Sequence, residues 1–185
     1  MTFLRGLNVH LRRLEPTDLE QTLQWVNEPE IFVMMGVFGP RTSVAQQRWY
    51  EEVSVSQTNL VFAVCLQDGG EHIGNASIFD IDLRNRNAGL TVALPDRTHQ
   101  GKGLGREAVS LLCRYGFDYL NLHRIYCKTD NVHAGKMYER LGFVREGVLR
   151  QQAFRFGEFV DKVVYGVLRD EFRGASKASQ GESKP

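Results

Sequence analysis

Between Ala88 and Leu120 the polarity pattern changes its period. Ala88 to Leu94 alternates small and β-branched residues, Pro95-Asp96 ends that run, and Glu107 to Leu120 carries apolar residues at helical spacing. The pattern predicts a strand, a loop and a helix. Downstream the order repeats: Leu122 to Lys128 reads as a strand, Asn131 caps a helix running to Leu141, Gly142 suits the position just past its end, and Phe143 restarts an extended run. Upstream, Val9, Leu11 and Leu14 predict a first strand. Thr17-Asp18-Leu19-Glu20 has the form of a capping box opening a helix with Leu19, Leu23 and Val26 on one face, and Ser43-Val44-Ala45-Gln46 opens a second helix that continues near Trp49 and Tyr50. Asn59 to Leu66 and His72 to Phe79 are apolar runs joined by Asp68-Gly69-Gly70, a hairpin signal, and Ala88 to Leu94 is the third strand of that meander. From Gly174 onward the chain is small and polar, which predicts one domain over residues 1–173 and a disordered tail over 174–185.

Composition narrows the class. A chain of 185 residues with 42% hydrophobic and 24% charged residues can fill one core, and a net charge of +1 gives no bulk reason to bind nucleic acid or membrane. No apolar run reaches membrane-span length, and Met1 to Leu14 mixes charges with apolar residues, so a cytoplasmic location is expected. Cys65, Cys113 and Cys127 fall in apolar patterns without Cys-x-x-Cys spacing and read as core thiols. The five histidines form no H-E-x-x-H pair, and no metal is expected. His133, near the start of the predicted Asn131 helix, reads as a solvated first-turn residue.

The candidate chemistry sits in Gln100-Gly101-Lys102-Gly103-Leu104-Gly105-Arg106, between the predicted strand and helix. Glycines there let the backbone approach a ligand, and the first turn of a helix offers unpaired N–H groups at the positive end of its dipole. Lys102 and Arg106 add positive charge, so the expected ligand is a phosphate. A Walker loop is disfavoured because Lys102 is followed by Gly103, with no hydroxyl for magnesium. A dinucleotide fingerprint is disfavoured because the loop reads G-x-G-x-G and lies past the chain's midpoint. Taken alone, the loop fits a plain glycine turn before a helix equally well.

Gln100, Gly103 and Gly105 match the pattern Gln/Arg-x-x-Gly-x-Gly/Ala, which resembles the pyrophosphate loop of the GNAT superfamily of acetyl-CoA-dependent N-acetyltransferases. The segment from Asn131 through Tyr138 to Leu141-Gly142-Phe143 resembles that family's second signature. Glu146-Gly147, Arg150, Gly157 and Asp161 are similar to the terminal strands of its RimJ/RimL-like branch, which includes protein N-terminal and polyamine acetyltransferases.

The resemblance implies a mixed α/β (α+β) fold: a central, mostly antiparallel sheet flanked by helices, with the acetyl-CoA loop at the start of the helix after the central strand. It also implies direct acetyl transfer to an amine, with Tyr138 protonating the departing thiolate. A phenol with a pKa of about 10 stays protonated at neutral pH, whereas the alternative for Tyr138 is packing of its helix. Cofactor contacts are implied for the backbone of Thr91, Val92 and Ala93, for Gln100, Gly101, Lys102, Gly103, Leu104, Gly105 and Arg106, and for Asn131 and Lys136; Arg140 reads as a solvated helix face. The segment from Asn27 to Arg41, with Glu28, Glu30, Phe32, Met34, Met35 and Phe38, corresponds to the family's acceptor groove, though core packing under a loop is the favoured reading for each apolar residue taken singly.

The sequence departs from the family at the general base. Asn87-Ala88-Gly89 has asparagine where many RimJ/RimL-like sequences have the glutamate of Glu-x-Gly, and Asp80, Asp82, Glu28 and Glu30 remain as candidates acting through water. Deprotonating a lysine-like amine at pH 7 costs roughly 4 to 5 kcal/mol against about 1 kcal/mol for an α-amine. A weak base therefore points to a peptide N-terminus or a small-molecule amine of low pKa, ahead of polyamines or aminoglycosides. A non-catalytic acyl-CoA-binding module is the other class left open, and a homodimer is compatible with the chain.

Overall fold

A computed structural model describes residues 4–35 and 39–174. The tail beyond Gly174, Phe38 of the acceptor segment and the Met34 side chain lie outside what is described. One sheet contains β1 (Leu4–Arg5), β2 (Val9–Arg13), β3 (Leu60–Leu66), β4 (His72–Asp82), β5 (Asn87–Ala93), β6 (Arg124–Thr129), β7 (Val144–Arg155) and β8 (Glu158–Leu168), in the order β1-β2-β3-β4-β5-β6-β8-β7. Neighbouring strands run antiparallel except β5 and β6, which are parallel. A parallel pair needs a crossover. That crossover contains α4 (Leu104–Arg114), prolonged by a π turn over Tyr115–Tyr119.

The run Leu60 to Leu66 is apolar at nearly every position because helices cover both faces of β3. Phe62 and Val64 join the main core under α4, while Val61, Ala63 and Cys65 pack with Leu14, Trp49, Tyr50 and Val53 on the opposite face. That second face is roofed by α1 (Leu19–Asn27), α2 (Pro29–Met35) and α3 (Ser43–Val55). The fifth helix, α5 (Val132–Arg140), packs at β6, β7 and β8. The three cysteines are buried and free, in line with core thiols.

The predicted elements form, with shifts at their ends. Thr17 does not cap α1; it lies exposed in a short 3-10 turn, Pro16–Asp18, and Asp18 instead accepts the Glu15 N–H at 2.8 Å. Ser43 does not cap α3 either, because the Thr42 hydroxyl accepts the Ala45 N–H at 3.2 Å. A buried Gln46 turns away from the helix end toward Thr22. The acceptor segment contains a helix, α2, that Pro29 starts at its first position, where a missing N–H costs nothing. Gly142, with φ +93°, ends α5 as expected, and a Cβ there would collide with the Glu171 carbonyl.

Asp18 ties β2 to α1. Arg12 donates to both carboxylate oxygens, at 2.6 and 2.8 Å, and His72 Nδ1 lies 3.4 Å from Oδ1. Burial alone would raise this carboxyl's pKa, but Arg12, the Glu15 N–H and His72 outweigh it and hold the group below the ordinary carboxylate range. A depressed folded pKa contributes stability that is present above the unfolded pKa of about 3.9 and is lost as pH falls through the folded value. Asp18→Asn should therefore cost about 3 kcal/mol at neutral pH, since it strands the largely enclosed Arg12, and should weaken the acid dependence of stability below about pH 4. Urea unfolding at neutral and acid pH checks this; wild-type stability at neutral pH would contradict it.

Candidate active site

Strands β5 and β6 are paired only at Asn87–Arg124, Ala88–Ile125 and Gly89–Tyr126. Beyond that point β5 continues to Ala93 bonded to β4, and β6 continues to Thr129 bonded to β8. The edge of Thr91, Val92 and Ala93 that faces β6 has no ladder partner, which leaves a wedge in the middle of the sheet. Side-chain alternation divides the strand: Ala88, Leu90 and Val92 join the core under α4, and Thr91 and Ala93 lie across from Ser77 and Asn75 on the opposite face.

The glycine loop closes the cofactor side of this wedge. After β5, Asp96 caps the turn Arg97–His99, and Gln100 Nε2 donates to the Leu94 carbonyl at 3.0 Å, fixing the loop to the strand end. Gly101 and Gly103 then adopt φ +73° and +82°. The first helical bond of α4 runs from the Glu107 N–H to the Gly103 carbonyl, so the N–H groups of Leu104, Gly105 and Arg106 have no partner within the helix. Gly103 has no side chain to cap them. A Cβ added at Gly101 or Gly103 would meet no protein atom within 4 Å, and Lys102 and Arg106 are exposed at the same mouth. Open space, unpaired donors and two cations fit a pyrophosphate. The Leu104 side chain is buried and anchors the helix, so this residue offers the site its backbone alone.

The other predicted residues separate by role. Asn131 Oδ1 accepts the His133 and Ala134 N–H groups at 2.9 and 3.2 Å, so its first task is to cap α5. Tyr138 is buried at 6% exposure against Phe143 and Tyr165, beside Cys127 of β6, one residue past the end of the parallel pairing. Burial, with Cys127 adding to it, pushes the phenol well above its ordinary pKa. Lys136 is two residues from Tyr138, about 200° around the helix, and is exposed on the far face. The structure therefore brings Thr91–Ala93 and the loop 100–106 to one wedge and sets Lys136 apart on its helix.

On the opposite face, a cavity of about 120 Å³ lies between the helical roof and the sheet. Thr22, Trp25 and Val26 of α1, Met35 of α2, and Gln46 and Trp49 of α3 form the roof; Val61, Asn75, Ser77 and Ala93 form the floor, and Arg41 stands at the side. The cavity shares Ala93 with the wedge, so it is placed to receive an acceptor. None of the four candidate carboxylates lines it. Glu30 pairs with Arg97 at 2.6 Å and Glu28 is exposed, while Asp82 accepts from the backbone and side chain of Asn85, which hold its pKa down. Asp80 accepts from the Tyr126 hydroxyl at 3.4 Å, beside the last parallel pair. Arg41, Asn75 and Tyr126 were not legible as site residues, because a lone arginine in a loop and alternate polar residues on strands carry no local signature.

Residues 8–144 match the model of the acetyltransferase (GNAT) domain. The chain is 32% identical over 170 residues to the uncharacterized N-acetyltransferase p20 of Bacillus licheniformis, covering 89% of this chain and 94% of that one. It is 27% identical over 172 residues to the spermidine N(1)-acetyltransferase of Escherichia coli K12, covering 92% and 91%. The spermidine N-acetyltransferase of Vibrio cholerae, solved in complex with CoA and spermine, superposes with a TM-score of 0.82 at 26% identity, covering 89% and 97% of the two chains. This chain belongs to the GNAT family. It is an acetyl-CoA-dependent N-acetyltransferase.

Gly103→Ala should raise the dissociation constant for acetyl-CoA at least tenfold, about 1.4 kcal/mol, because a methyl group enters the open space at the helix end. Gly69→Ala, at φ +74° in the β3–β4 turn, carries the same backbone strain away from the loop and serves as control. Calorimetric titration of both proteins decides it; equal affinities would remove the loop from the cofactor site.

Proposed function

We propose that the acceptor is an amine of low pKa, a peptide N-terminus or an amino group on a small molecule, acetylated in the cytoplasm with Tyr138 as proton donor. Acetyl-CoA supplies the acetyl group as a thioester. The open N–H groups of residues 104–106, with Lys102 and Arg106, hold its phosphates, and the unpaired edge of Thr91–Ala93 orients its arm. Asn131 shapes the second wall by fixing the start of α5. The Tyr138 phenol keeps its proton at working pH and can pass it to the departing thiolate.

The observation that carries the acceptor assignment is the absence of a carboxylate lining the cavity among the described residues. A polycation needs anionic partners there, and a strongly basic amine needs a base to remove its proton. The spermidine acetyltransferase relatives favour polyamines as the second reading. Release of CoA thiol with peptide N-termini, small amines, spermidine and an aminoglycoside separates the two, with the first two expected to lead. Spermidine far ahead of every α-amine would reverse the order.

Tyr138→Phe should lower kcat by about 10² or more. Because the phenol pKa is raised, its useful protonated form persists to high pH. The wild-type profile should rise with deprotonation of the acceptor and show no fall from Tyr138 below about pH 10. Wild-type turnover by the Phe variant at every pH would remove the assignment.

A further inference from the structure

We infer that Arg41 makes the acceptor cavity selective for an amine carrying a carboxylate a few bonds from the nitrogen; this rests on the low-pKa amine reading above. Arg41 is the charged residue among those lining the cavity, and no described carboxylate pairs with it. Its guanidinium lies 5.5 Å from the centroid of the Trp49 ring and donates from Nη1 to Gln46 Oε1 at 3.0 Å. Partial burial lowers its pKa, as for a cation with no counter-ion beside it.

The position is built and held. The Arg41 N–H donates to Asn27 Oδ1 at 2.6 Å, and Asn27 Nδ2 donates back to the Arg41 carbonyl at 2.9 Å. Gln46 cannot rotate to serve otherwise, since its Nε2 donates to Thr22 Oγ1 at 2.8 Å and that hydroxyl donates to the Leu19 carbonyl at 3.1 Å. Every polarity along this buried chain is fixed. The amide oxygen of Gln46 satisfies one of five guanidinium N–H groups, leaving the fork able to take a carboxylate with two parallel bonds.

Geometry sets the reach. Arg41 and Ala93 line the same cavity of about 120 Å³, so an acceptor whose amine approaches β5 has room for only a short span before its charge meets the guanidinium. A peptide whose first residue is aspartate or glutamate carries that carboxylate a few bonds from an α-amine of low pKa. A polyamine would instead bring positive charge against Arg41 without a carboxylate between them.

The test compares acceptors matched apart from this charge: peptides beginning with Asp against Asn and with Glu against Gln. Wild-type kcat/KM should favour the acid of a matched pair at least tenfold, the pair with the larger ratio giving the preferred span. In Arg41→Gln the ratio should fall to within about threefold, with Arg41→Lys between them. Calorimetric binding of the acetylated peptides, N-acetyl-Asp against N-acetyl-Asn, reads the same contrast without turnover and on variants shown to be folded by their acetyl-CoA binding. Equal treatment of acid and amide by the wild type, or an acid preference that survives in Arg41→Gln, would overturn the inference. Failure of the low-pKa reading looks different: spermidine leads in turnover, whatever the product-binding contrast shows.

Discussion

Strands β5 and β6 share a parallel ladder for three residue pairs, and their separation after Gly89 and Tyr126 governs the rest of the molecule. Parallel strands cannot be joined by a tight turn, so the chain must cross over the sheet through α4 before β6 begins. That crossover starts where β5 ends, which sets the N-terminus of α4 and its glycine loop at the mouth of the gap. The gap exposes strand backbone, and the loop exposes helix backbone. Both are main-chain groups, and Lys102 and Arg106 stand exposed at the rim.

The two faces of the sheet are built from different materials. Under α4 the core is apolar, and Tyr138 sits within it with Cys113 and Cys127 as neighbours. The opposite face carries buried polar chains: Arg12–Asp18–His72, with His72 Nε2 against Asn75 Oδ1 at 3.0 Å, and Arg41–Gln46–Thr22. Such chains are costly when half satisfied, and both lead to residues that line the cavity, Asn75 in one case and Arg41 in the other. The polar investment in this fold is concentrated beside that cavity.

The carboxylates suggested by the sequence as possible bases are mostly engaged elsewhere. Glu30 holds Arg97, linking α2 to the turn before the glycine loop, and Asp82 organises the β4–β5 turn through Asn85. Asp80 is the exception in position, since it meets Tyr126 where the wedge opens. Residue 87, where the resemblance implied a glutamate, is an asparagine paired between Asp82 and Arg124 and offers no proton acceptor of the needed strength.

By itself the sequence determined the order of elements, the loop and the second signature, because these depend on short-range physics: hydrophobic period, left-handed glycines at 101, 103 and 142, and the Asn131 cap. It misassigned the caps at Thr17 and Ser43 by one position each, since adjacent Ser, Thr and Asp residues compete and only the chain's path picks the winner. Tertiary structure alone decided that β5 and β6 separate, that Tyr138 meets Cys127, that Lys136 faces away, and that Arg41 stands by a cavity with residues distant along the chain, such as Ala93 and Pro95. Those facts depend on which strand neighbours which and on how helices roof the sheet, and such long-range pairing leaves no periodic trace in the residues it joins.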